Sequence, residues 1–235
     1  MVEPAPPSLC SNRNTAPPAP RTALAHDWIV ARRGGELVLA AIAQALPQPP
    51  ARLYVMFHNG TPIAPEIDAA PTTASFLNHA PAALRRWLLP FYPAAVADLS
   101  RRLAADHARE PFSVLVSTSS VAAKAVRPPP GVPHLCYCHT PARYLWTQTD
   151  AYATPGLKGR LRAAGLRAAR APLRRWDRAT AADVTAFLAN STHTRDLIRR
   201  AYDRDATVVH PPVRTGFFTP DPATTREDFL LVVSA

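Results

Sequence analysis

The stretch His134-Leu135-Cys136-Tyr137-Cys138-His139-Thr140-Pro141-Ala142-Arg143-Tyr144-Leu145-Trp146 decides the fold. Leu135 to Cys138 is a short apolar run, punctuated by Pro133 before it and Pro141 after it, which predicts a buried strand. Polar, charged and aromatic groups follow at once. In an open α/β sheet ligands sit outside the carboxyl ends of the strands. His139 and Arg143 are therefore expected at that rim, with Tyr144 and Trp146 close behind.

Upstream, the same grammar repeats. Thr22 to Ala25 reads as the first strand, followed by His26, Asp27 and Trp28, then Arg32, Arg33, Gly34, Gly35 and Glu36. Leu39, Ile42, Ala43 and Leu46 then fall at i, i+3, i+4 and i+7, a helix that Pro47 ends. Leu53 to Phe57 and Thr72 to Leu77 read as extended pieces. Pro81 opens a helix with Leu84, Trp87, Leu88 and Phe91 on one face and Arg85 and Arg86 beside it; Pro93 opens another, running to His107. Val114 to Val116 is a strand crowned by Ser117 to Ser120, with Lys124 in a short helix beyond.

Downstream lies a basic stretch, 158–178, with Lys158, Arg160, Arg162, Arg167, Arg170, Arg174, Arg175 and Arg178 against the one acid Asp177. Pro172 is expected to break or kink any helix there. Phe187 to Ala189 and Thr207 to Val209 are strands, and Asn190 or Ser191 can cap the helix between them. Phe229 to Val233 begins a further strand. Strands alternating with helices predict an α/β, Rossmann-like parallel sheet with helices on both faces. Residues 1–20 form a Pro-rich, disordered tail, 21–220 the domain, and 221–235 a linker and a last strand.

The totals bound the function. The net charge of +10 suits a phosphate-bearing ligand, nucleic acid or an anionic membrane surface. Three cysteines, Cys10, Cys136 and Cys138, are too few and too odd in number for a secreted disulfide scaffold. Cys136 and Cys138 share one strand face, and without a second Cys/His cluster they read as buried thiols, so no metal is expected. No apolar run reaches the roughly 18 residues of a membrane span, and no signal peptide is recognisable. The expected location is the cytoplasm, with peripheral membrane contact through 81–91 and 158–178 open beside plain core and solvated-face readings.

Single groups carry two readings each. Gly34-Gly35 can let backbone N–H groups approach a phosphate, or can serve a turn needing positive φ. His139 with Arg143 can face one substrate, or His139 can be a bonded turn residue. Asp27 can act as a base or cap a turn. Ser119, Ser120 and Lys124 can touch a polar ligand, or the serines can cap a helix.

Taken in order, the motifs resemble the N-terminal half of a family 4 glycosyltransferase of the bacterial mannosyltransferase-like kind that builds surface polysaccharides. They are His26-Asp27-Trp28 with Gly34-Gly35-Glu36, Ser117 to Ser120 with Ala123-Lys124, and Cys136-Tyr137-Cys138-His139-Thr140-Pro141 with Arg143-Tyr144. Arg175-Trp176-Asp177, Ala189-Asn190-Ser191 with Ile198-Arg199-Arg200, and His210-Pro211-Pro212-Val213 complete the series. The resemblance implies a two-domain GT-B fold and retaining, metal-free transfer from a nucleotide sugar, leaning to a GDP-mannose-like donor. The acceptor is a saccharide or a polyprenyl-linked one. It further implies donor contacts at Gly34, Gly35 and His139, catalytic roles for His139 and Asp27, and acceptor contacts at Lys124, Arg143 and Tyr144.

The family's basic residues after the last strand and its spaced glutamates are absent. The expectation is therefore a chain lacking the C-terminal donor domain and inactive alone. The rival reading is a non-enzymatic module that binds an anionic lipid-linked saccharide or assembles with a separately encoded C-terminal half. Nucleic acid is set aside, because the basic stretch lacks interleaved aromatics.

Overall fold

The computed structural model describes residues 20–147, 157–223, 225 and 228–230. Among the described residues seven parallel strands form one sheet in the order β3-β2-β1-β4-β5-β6-β7. They are β1 (Thr22–Ile29), β2 (Arg52–His58), β3 (Thr72–Ala74), β4 (Val114–Ser119), β5 (His134–Cys138), β6 (Ala186–Ala189) and β7 (Ala206–Val208). The helices are α1 (Gly34–Ala45), α2 (Pro65–Asp68), α3 (Tyr92–Arg109), α4 (Arg143–Trp146), α5 (Leu157–Thr180) and α6 (Thr192–Tyr202).

Strand alternation sorts the core into two layers, because successive side chains leave a strand on opposite faces. Ala23 and Ala25 of β1, Tyr54 and Met56 of β2 and Leu115 of β4 pack under α3 with Ala95, Leu99 and Leu103. Leu24, Leu53, Val55 and Val116 pack on the other face against Leu39 and Ala43 of α1. Farther along the first face, Cys136, Cys138, Phe187 and Ala189 lie under Ile198, Ala201 and Tyr202 of α6. A sheet covered on both faces by helices is what the alternation of elements predicted.

Several boundaries differ from expectation. β1 continues through His26, Asp27 and Trp28, and β4 through Ser117, Thr118 and Ser119, so these polar residues stand on strands inside the sheet. The side chains of His26, Asp27, Ser117, Thr118 and Ser119 are buried, and partners across the sheet satisfy them where water cannot. The helix expected from Pro81 is a pair of 3₁₀ turns, Ala82–Trp87 and Leu89–Phe91, with Leu84 and Phe91 more than half exposed rather than on a buried stripe. The expected extended piece to Leu77 stops at Ala74 and becomes another 3₁₀ turn. Pro172 neither ends nor divides α5; it sits on the solvent side, where the carbonyl that loses its partner can turn to water. Phe229 and Leu230 are not in a strand, and the rest of that expected strand lies outside the described residues, as do the tail before residue 20 and the side chains of Arg86 and Trp87.

Candidate active site

The order of the strands creates the site. From β1 the chain turns through α1 towards β2, and from β4 it turns the other way towards β5. The divergence leaves a crevice at the carboxyl ends of these strands. A cleft of about 1140 Å³ occupies it, lined by His26 and Asp27 of β1, Gly34 and Gly35 of α1, His139, Arg143, Asn190 and residues of α6.

Asp27 is 2% exposed, and its carboxylate organises the floor. Oδ2 accepts hydrogen bonds from the backbone N–H groups of Ser120 (2.6 Å) and Val121 (2.8 Å). Oδ1 accepts from those of Ala122 and Ala123, both at 2.7 Å. Four amides that would otherwise be orphaned after β4 converge on one anion. With its lone pairs spent in this way, Asp27 is a structural anchor; the expected role as a base gives way to the turn-capping one.

Two imidazoles stand beside it. His26 Nδ1 is hydrogen-bonded to Thr118 Oγ1. Burial pushes His26 down to about 4; the neighbouring Asp27 carboxylate opposes this and the His139 imidazole adds to it. His139 is lowered by burial too, against the pull of Asp27. Both rings are thus neutral near pH 7. The His139 backbone is pinned on both sides: its N–H donates to the Ser119 carbonyl (2.8 Å), and its own carbonyl accepts from Asn190 Nδ2 (3.1 Å) and Thr194 Oγ1 (3.2 Å). Its Nε2 is shielded from solvent and has no hydrogen-bond partner among the described residues. That atom faces the start of α1, 3.7 Å from where a Cβ on Gly35 would stand.

Among the described glycines only Gly60 and Gly131 have positive φ, so Gly34 and Gly35 are not required by a left-handed turn. The tight-turn reading of this pair fails. Gly34 leaves open space and Gly35 brings the backbone close to the His139 and His26 rings, at a helix N-terminus whose N–H groups have no intrahelical partners. The arrangement can hold an anionic group over α1 while a neutral imidazole addresses a polar group beside it.

The other expected residues separate. Arg143 lines the cleft and is exposed, as expected. Tyr144 is buried with Leu145 and Leu173 between α4 and α5, and does not line the cleft. Lys124 is 2% exposed: its ammonium donates to the Asp177 carbonyl (2.6 Å) and Thr180 Oγ1 (3.1 Å) and stands 2.9 Å from Asp177 Oδ1 as an ion pair. It belongs to the core and is not presented to an acceptor. Sequence reading missed His26 as a floor residue, Asn190 and Thr194 as the clamp on His139, and Arg33, His193 and Arg200 as lining. The spacing of 193, 197 and 200 on one helical face was the available signal for the last two.

Among the described residues no group of three His, Cys, Asp or Glu side chains could hold a metal ion. Cys136 and Cys138 point beneath α6, away from the cleft, and burial pushes the Cys136 thiol up to about 12. No helix among the described residues is long and apolar enough to cross a membrane. Within the basic stretch, Arg170 donates to the Leu145 carbonyl, Arg178 to the Ala201 carbonyl, and Arg174 stacks over the Trp146 ring at 4.2 Å. Part of that charge is therefore turned inward to hold α4 and α6.

A family model, Glycosyltransferase Family 4, matches residues 32–217. No curated protein matches the chain. Similar solved structures include the apo form of the lipopolysaccharide outer core galactosyltransferase WaaB, at 15% identity and a TM-score of 0.44 over 81% of this chain and 46% of that one. Os79 from O. sativa in complex with UDP is similar at 18% identity and a TM-score of 0.45, over 83% and 52%. The calicheamicin glycosyltransferase CalG4 is similar at 12% identity and a TM-score of 0.43, over 87% and 56%. The chain spans about half the length of these three structures.

Proposed function

The chain belongs to glycosyltransferase family 4, and on that premise we propose that its cleft serves transfer of a hexose from a nucleotide-sugar donor to a saccharide or polyprenyl-linked acceptor. The observation that carries this reading is the closeness of His139 Nε2, without a hydrogen-bond partner among the described residues, to the N-terminus of α1 at Gly34 and Gly35. A diphosphate leaving group needs fixed N–H donors where its charge develops, and donors already oriented need no reorganisation during the reaction. Gly34 and Gly35 present such donors without side chains in the way. His139 lines the cleft and is held neutral by burial, so its role in this proposal is to hydrogen-bond a hydroxyl of the transferred sugar, with Nε2 uncovered when the sugar enters. We extend the proposal to a mannose-type donor, retaining stereochemistry and metal-independent transfer, which rest on the sequence resemblance.

The test is turnover of a panel of nucleotide sugars, with GDP-mannose and UDP-glucose first, by the protein isolated from its native cell. His139→Ala is expected to lower kcat by roughly a hundredfold, in the range of other lost transition-state contacts, with an unchanged melting temperature. Gly35→Ala is expected to fold normally, since its Cβ would meet only ordinary contacts, and to raise the donor KM. Full activity in both variants would refute the assignment of the cleft.

A further inference from the structure

Resting on that reading of the cleft, we infer that its wall built by α4 and α6 is an anion subsite that takes a phosphate group carried by the acceptor. α6 turns one stripe into the cleft: His193, Leu197 and Arg200, at i, i+4 and i+7. Arg143, at the start of α4, lines the same space.

The pattern of pairing singles these groups out. Neighbouring arginines are engaged: Arg195 with Asp196, Arg199 with Asp205, and Arg204 with the carbonyls of Ala181 and Val184. Arg143 and Arg200 are exposed and make no ion pair or hydrogen bond through their guanidinium groups with any described residue, and the His193 imidazole makes none either. Among the described residues the unpaired arginines on these helices are thus the ones that face the cleft. The carboxylates lining it do not neutralise them. Asp27 is occupied by four backbone N–H groups, and Glu36 is buried, accepting from the Arg33 N–H at the start of α1. A guanidinium offers planar, forked donors that match phosphate oxygens. The donor diphosphate is assigned to the α1 side, so a second anion is accommodated on the α6 side.

The experiment titrates the 235-residue chain with farnesyl phosphate, glucose 6-phosphate and, as the phosphate-free control, glucose, following backbone amide NMR shifts. Both phosphates are expected to shift Arg143 and the amides from His193 to Arg200, and glucose is not. Arg143→Ala and Arg200→Ala should each weaken phosphate binding about tenfold, the size of one lost charged hydrogen bond. Arg167→Ala removes the same charge from the exposed surface of α5 and should change binding by less than about twofold.

Tighter binding of farnesyl phosphate assigns a lipid-borne group, and equal or tighter binding of glucose 6-phosphate a soluble one. Absence of shifts at α4 and α6, or an equal loss in Arg167→Ala, overturns the subsite. Sugar transfer is scored separately, on the protein isolated from its native cell. Phosphate shifts without any transfer leave the subsite standing and remove the transferase reading; transfer without phosphate shifts does the reverse.

Discussion

Asp27 shows what one buried carboxylate does when its partners are all backbone amides. Replacing it by asparagine keeps size and shape but turns one acceptor oxygen into an NH₂ donor, which then faces N–H groups. Two amides are left without acceptors, at about 1–3 kcal/mol each. Asp27→Asn is therefore expected to destabilise the fold by roughly 3–5 kcal/mol in urea denaturation. Unchanged stability with lost activity would instead restore the role of a catalytic base.

The histidines set the pH response at the same scale. His26 and His134 both have folded pKa values near 4, lowered first by burial, and for His134 next by the Lys124 charge. The unfolded chain binds protons on these groups from about pH 6.5 downward, and the folded chain does not. Stability is thus fully present above pH 6.5 and falls as the pH drops towards 4, by up to roughly 3 kcal/mol per histidine. Denaturation midpoints measured at pH 7 and pH 4.5 should show the fall. His134→Gln, outside the cleft, should flatten the slope by about half; an unchanged slope would exclude the buried neutral state of His134.

At the scale of elements, Asp177 of α5 is the hub that fixes the cleft wall. Its Oδ2 accepts from Trp146 Nε1 (2.7 Å) at the end of α4 and from Tyr202 OH (3.0 Å) at the end of α6, while Oδ1 faces Lys124. Lys124 in turn follows the segment hung from Asp27, so the floor and the wall are tied through one buried pair. Removing one partner of such a pair leaves a buried charge and costs about 3–5 kcal/mol, whereas replacing both by apolar groups is often neutral. Lys124→Met and Asp177→Leu are each expected to destabilise by that amount, and the double variant by clearly less than the sum of the two. Additive losses in thermal or urea unfolding would argue against the coupling.

α6 has its own signals. Ser191 caps it by accepting from the Thr194 N–H, and Asp203 ends it in the left-handed conformation at φ 56°. Ser191 was legible as a helix cap, whereas the stop at Asp203 was not read from the sequence. The Asn190 side chain, the rival cap in the sequence, is used instead to hold the carbonyl of His139, a choice that depends on β5 lying next to β6.

For the whole molecule, the sheet order places β1 and β4 at the centre and β3 and β7 at the edges. Amide hydrogen exchange should be slowest in β1, β4 and β5, which are covered on both sides by neighbours, and fastest in the three-residue strands β3 and β7. Comparable protection across all seven strands would contradict this arrangement. The net charge of +10 favours anionic ligands in general, and Arg33, Arg143 and Arg200 line the cleft.

The sequence by itself determined the class of fold, most of the run of strands and helices, and the rim position of Gly34, Gly35, His139 and Arg143. These follow from apolar runs, proline punctuation and the rule that ligands sit at strand ends, all local or topological properties. It could not assign Asp27, Lys124 and Tyr144, because a charged or aromatic side chain near a strand end reads alike whether it faces solvent or core. Only the tertiary structure decided that Asp27 is held by the amides of 120–123, that Lys124 meets Asp177, and that His139 is clamped from α6. Each of those partners is distant in the chain, and the cost of burying an unpaired polar group forces them together only once the sheet has brought them near.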